Sequence, residues 1–118
     1  MPDPTLSLDE LRRGARQITE RRRDARRDYE RYAKEEADAD LEYRKTMAKA
    51  YTAARADGVT DRGAEILARD AAAEAKQRRD IAASLAKSAL LRIEECEREA
   101  ATLRSIAEWS QRIDGGVA

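Results

Sequence analysis

Nine arginines crowd into residues 12–31, and no other cluster in the chain comes as close to a recognisable chemistry. Arg12, Arg13, Arg16, Arg21, Arg22, Arg23, Arg26, Arg27 and Arg31 stand there against four acids, a local excess of +5. On a helix such a cluster can track several phosphates, so nucleic acid is a candidate partner, with all of these except Arg22 as its contacts. The competing reading is intramolecular. Glu94, Glu95, Glu97 and Glu99 lie on the helix expected to face this one, and would neutralise part of the charge. Tyr29 and Tyr32 are of a type that stacks on bases, but their spacing puts them on the helix seam, where they read as core.

Other chemistries meet obstacles. Glu35, Glu36, Asp38, Asp40 and Glu42 form an acidic run, and paired carboxylates can do acid–base work or hold a divalent cation. On an exposed helix with no His and no glycine-bearing loop, they read instead as a solvated face or as ion-pair partners. The chain has no His, and Cys96 is its one thiol. That removes the usual general base, the usual metal ligand and any internal disulfide. Cys96 reads as a small buried hydrophobe, and a lone thiol suits a reducing compartment. The expectation is a protein that is not an enzyme, with no catalytic residue, cofactor, metal or small-molecule substrate.

Composition says which elements must carry these residues. Of 118 residues, 41% are charged and 4% aromatic, Phe is absent, and both prolines fall before residue 5. Strands and mixed cores draw on aromatic and β-branched residues that are scarce here, so long helices remain. The 24 basic and 24 acidic residues cancel, so any pull on an anionic partner is local. The 19 Arg against 5 Lys, with 24 Ala, read as the codon usage of a GC-rich genome. The start lacks a basic n-region and an apolar h-region, and no uncharged stretch approaches the roughly 20 residues of a spanning helix. A cytoplasmic protein with no membrane contact is expected.

The one strong breaker inside the chain is Ala56-Asp57-Gly58-Val59-Thr60. Gly58 can take the left-handed cap and Thr60 can be the next N-cap. Ser7 and Glu10 have capping-box spacing, and Gly115-Gly116 end the pattern after Ile113. These signals divide the chain into a disordered tail 1–7, a helix over about 8–56, a turn at 57–60, a helix over about 61–113 and a flexible tail 114–118. Each helix is roughly 75 Å long at 1.5 Å per residue. Gly14 weakens the first turns by about 1 kcal/mol relative to Ala.

The fold class expected is all-α: two long helices forming an antiparallel coiled-coil hairpin, with dimerisation into a four-helix bundle as one way to cover its remaining apolar face. Heptads from Leu8 place Leu11, Ala15, Ile18, Arg22, Ala25, Tyr29, Tyr32, Glu36, Ala39, Tyr43, Thr46, Ala50 and Ala53 on one seam. The second helix offers Leu85, Ala89, Ile93, Cys96, Ala100, Leu103 and Ala107, whose four-four start relaxes the supercoil. Facing partners should have numbers adding to about 117, by the antiparallel packing that a short turn forces. Leu8 then meets Trp109, which closes the open end, and Leu11 meets Ile106. Two polar layers pin the register: Arg22 with Glu95, and Glu36 with Arg78 and Arg79. A further apolar stripe, Ala33, Ala37, Leu41, Ala48 and Tyr51 on the first helix with Ile66, Ala73 and Ile81 on the second, lies off the seam. It marks an interaction surface for a second copy or a protein partner.

The stretch Val59-Thr60-Asp61-Arg62, followed by Ala64, Ala68, Ala71 to Ala73, Ala82, Leu85, Ala86, Leu91, Ile93 and Leu103-Arg104-Ser105, resembles a group of small phage and prophage helical-hairpin proteins. The resemblance spans about residues 40–110. Genes of that group often lie near those of single-strand annealing recombinases and single-strand-binding proteins. It therefore implies a phage-encoded accessory of DNA recombination, acting in the cytoplasm of an infected bacterium, and carries over no catalytic residue. Three functions stay open: a homo-oligomeric or partner-docking interaction protein, a nucleic-acid-binding recombination accessory, and an inhibitor of a host enzyme or defence complex.

Overall fold

Helix α1, Leu8–Ala56, begins where the sequence supplies its cap. The Ser7 N–H donates to the Glu10 carboxylate at 3.0 Å and the Glu10 N–H to Ser7 Oγ at 3.1 Å, closing the capping box. The helix runs unbroken through Gly14. It ends at the expected turn, where Gly58 has φ +86°. A side chain there would cost roughly 1–2 kcal/mol, because Cβ crowds the following carbonyl. Thr60 then caps α2, Asp61–Ala71, its Oγ1 accepting from the Gly63 N–H at 3.2 Å. Arg55 donates to the Val59 carbonyl at 3.1 Å and Tyr51 to the Asp61 carboxylate, so side chains of α1 also hold the turn.

The computed structural model describes residues 6–117, and side chains only as far as 113. Among those residues there are three helices and no strand, so the described chain is all-helical. The expected tail 1–7 is described only at Leu6 and Ser7, which take no regular structure. The second expected helix is two: α2 gives way to α3, Ala73–Val117, at Ala72, with φ −96° and ψ 1°. Helical bonding continues across the fault, from Ala72 N–H to the Ala68 carbonyl and from Lys76 N–H to the Ala72 carbonyl, both 3.0 Å. The cause is visible in the burial pattern. Ala64, Ala68 and Ala72 are buried at four-four spacing, and from Ala72 the spacing becomes four-three. A change of period needs a local change of winding. Helix α3 continues through Gly115 and Gly116 to Val117, past the expected end at 113.

The chain divides into two compact units. Unit 2, Tyr29–Lys87, holds the end of α1, the turn, α2 and the start of α3. Its buried residues are all alanines, among them Ala39 and Ala54 of α1, Ala64 and Ala68 of α2, and Ala82 and Ala86 of α3. Arg79 sits half-buried in this seam, donating to Asp40 at 3.2 Å and lying 4.7 Å over the Tyr43 ring. Arg78 donates to Glu42 at 2.5 Å. Asp40 and Glu42, rather than Glu36, therefore hold the two arginines.

Unit 1 pairs the start of α1, as far as Asp28, with α3 from Ser88 onward. Ile18, Ala25, Ala89 and Cys96 are buried there, Cys96 as a small seam residue. A Cβ at Gly14 would lie 3.3 Å from Leu103 Cδ2, a facing pair in the expected register. The ion pairs reach one turn further, from Arg21 to Glu99 and from Arg92 to Asp28 at 3.0 Å. The expected pin between Arg22 and Glu95 is absent: among the described residues neither makes an ion pair. Arg22 is half-buried and lines the space beside Ala15 and Ile18, while Arg21, on the flank, reaches across to Glu99.

Among the described residues, ten of the twelve buried apolar residues are alanine. Where the helices meet through alanine, as at Ala39, Ala54, Ala68, Ala82, Ala86 and Ala89, they approach at the short end of the 8–10 Å range, which leaves no room for Leu between them. Larger side chains one position off the seam are forced to its rim. Leu85 is therefore exposed and Ala86 buried, giving four-three spacing through Ala82, Ala86, Ala89, Ile93 and Cys96 where Leu85 implied four-four. Ala54 is likewise buried in place of Ala53. Trp109 is 45% exposed and Leu8 62%, so this pair does not close the open end; Ser110 takes the seam position.

Candidate docking groove and arginine face

The first turns of α1 and the last turns of α3 leave a groove of about 550 Å³ in unit 1. Leu8, Leu11, Ala15 and Ile18 form one wall, Leu103 and Ala107 the other. The sequence explains the opening. Alanines at 15, 100 and 107 are too short to fill the space between the helices there. Ser110 also lines the groove; it is 8% exposed, and its Oγ has no hydrogen-bond partner among the described residues. A buried hydroxyl in that state costs roughly 1–3 kcal/mol. The charged groups on the groove are Arg12, Arg22 and Arg104 against Glu97, and none of the four makes an ion pair among the described residues. Sequence reading marked Arg12 for nucleic acid but missed Leu8, Leu103 and Ser110 as one site. The signal was the run of alanines opposite leucines at the end of the pattern.

The arginine cluster is less compensated than its facing acids suggested. Only Arg21 reaches them, donating to Glu99, which holds its guanidinium above the ordinary range. Arg27 pairs with Asp24 one turn away at 2.7 Å. Arg31 belongs to unit 2, where it lies 4.6 Å from the Tyr32 ring centre and donates to the Tyr32 hydroxyl. Among the described residues Arg12, Arg13, Arg16, Arg23 and Arg26 make no ion pair, and all five are exposed. Arg12, Arg16, Arg23 and Arg27 recur every four or seven residues or so, which puts them on one outward face of α1 over about 22 Å. Tyr29, a seam position in the sequence, is 37% exposed.

The apolar stripe lies wholly in unit 2. Ala37, Leu41, Ala48, Ile66, Ala73 and Ile81 are exposed, and Ala33 and Tyr51 half-buried. Leu41 falls two residues from buried Ala39, and Ile66 midway between Ala64 and Ala68. Each therefore points away from its own seam, and the stripe is divided between α1, with Ala33, Ala37, Leu41, Ala48 and Tyr51, α2, with Ile66, and α3, with Ala73 and Ile81. Tyr51 is committed to Asp61, and that hydrogen bond, more than burial, raises its pKa above the usual tyrosine value.

In the acidic run, Asp40 serves Arg79 and Arg44, and Glu42 serves Arg78. Among the described residues no group of three His, Cys, Asp or Glu is placed to hold a metal ion, and no helix is long and apolar enough to cross a membrane. No protein-family model, curated protein or solved structure matches the chain.

Proposed function

We propose that the chain is a non-enzymatic interaction protein that docks its helices, coiled-coil fashion, onto a second copy or another protein. The observation that carries this reading is the inversion of its core. Alanines are buried, while Leu41, Ile66, Ile81, Leu91 and Trp109 are left outside. Half-exposed Leu and Ile side chains forgo part of the roughly 1.5–3 kcal/mol that full burial supplies, which a partner helix would recover. Self-association into a four-helix bundle is the simplest way to cover the faces of unit 2. Sedimentation equilibrium at tens of micromolar tests it. The wild type associates, and Leu41→Glu with Ile66→Glu yields a monomer of unchanged helix content. A wild-type chain that stays monomeric across that range refutes self-association.

A second reading, nucleic-acid binding by a phage-encoded recombination accessory, is favoured by the five unpaired arginines of α1. If four arginines of the outward face neutralise four phosphates of a duplex, log affinity against log salt has a slope of about −3.6. Arg23, Arg26 and Arg27 changed together to Glu should abolish oligonucleotide binding in an anisotropy titration. Affinity that survives the change, or that ignores salt, removes this reading.

A further inference from the structure

The groove of unit 1 has a charge and a shape that specify its occupant. Its floor is leucine and alanine from two antiparallel helices, the surface on which a third helix seats its ridges. Its charged groups are three arginines and one glutamate, none with an ion-pair partner among the described residues. Ser110 adds a buried oxygen with no hydrogen bond among them. A second copy is a poor fit. An isologous contact would bring together two groove faces that each carry three arginines and one glutamate, a like-charged pair.

We infer that this groove docks an acidic amphipathic helix of a different protein, its leucine-type side chains against Leu11, Ile18 and Leu103 and its carboxylates against Arg12, Arg22 and Arg104. The inference rests on the docking reading and narrows it to one site and one partner chemistry. The apolar anchors supply affinity, and the arginines select against basic helices and fix orientation.

The test uses the full-length chain and two labelled synthetic helices, one of leucines and glutamates, the other with lysine replacing each glutamate. Anisotropy at low salt should show the glutamate helix binding at least tenfold more tightly, with the preference shrinking as salt rises. Arg12→Glu with Arg104→Glu should reverse the preference. Leu103→Glu should abolish binding of both helices, and Leu8→Glu, at an exposed first-turn position that does not support the fold, should weaken it severalfold. Equal binding of the two helices by the wild type overturns the assignment of an acidic partner while leaving docking intact. Binding of neither overturns the groove as a docking site, and the association of unit 2 then decides the broader reading alone. A labelled single-stranded oligonucleotide that the wild type binds more tightly than the glutamate helix, and that the arginine variant does not bind, assigns the arginines to phosphate and also overturns the inference.

Discussion

Replacing Ala89 with Leu should destabilise the protein, although the change adds apolar surface at a residue with 0% exposure. Ala and Leu are both strong helix formers, differing by a few tenths of a kcal/mol, so propensity nearly cancels. What remains is the space between α1 and α3. Three added carbons must displace the neighbouring helix or adopt a strained rotamer, and overpacking of this kind costs about 1–3 kcal/mol. At about 2.1 cal/mol/K per residue, a chain of this length has a melting entropy of about 0.25 kcal/mol/K, so Tm should fall by roughly 4–12 °C. The control is Ala101→Leu, on the exposed side of the same helix, which should shift Tm by no more than a degree or two. Circular dichroism melts at matched low concentration separate packing from association. An Ala89→Leu melt that equals or exceeds the wild type would mean that the seam has room for larger side chains, and the account of why Leu85 lies outside would fail.

Two further outcomes follow from local geometry. Gly14→Ala should stabilise the chain by up to about 1 kcal/mol, since the gain in helix propensity meets only the flexible end of Leu103, 3.3 Å from the new Cβ and free to shift into the groove. A drop in Tm would show that Leu103 is held there. Tyr51 has its pKa raised by donating to Asp61, so the folded state favours the neutral phenol. Its contribution is complete below about pH 10, the unfolded value, and is lost as pH rises through the higher folded value. Wild-type Tm should therefore fall more steeply than that of Tyr51→Phe above pH 10, and parallel curves would rule the linkage out.

The caps, the turn and the helical class were legible in the sequence because each is a local decision. Ser7 with Glu10, Gly58 and Thr60 act on neighbours within four residues, and the structure realises all of them. The seam was legible in period but not in occupant. A reader assigns the larger of two adjacent apolar residues to the core, which picked Leu85 over Ala86 and gave Trp109 a closing role. The choice is made by the distance between helices, a property of both seams together. The fault at Ala72 escaped for the same reason, since it follows from the change in spacing of the buried alanines. Of the groove, only Arg12 could be read in advance, because its emptiness depends on small residues far apart in the chain.

The division into two units also sets an order of events. Side-chain bonds between α1 and α3 in unit 2 join residues 36 and 39 apart in sequence, while those in unit 1 join residues 64 and 78 apart. Closing the shorter loops costs less chain entropy, so the turn-proximal unit zips first, and unit 1 forms only when the two ends of the chain have been brought together. Opening runs the other way, and amide hydrogens of residues 8–28 and 88–113 should exchange fastest. A helix seated in the groove would bridge the strands of this zipper at its loose end. Slowed exchange in unit 1 would then report occupancy before any partner is identified.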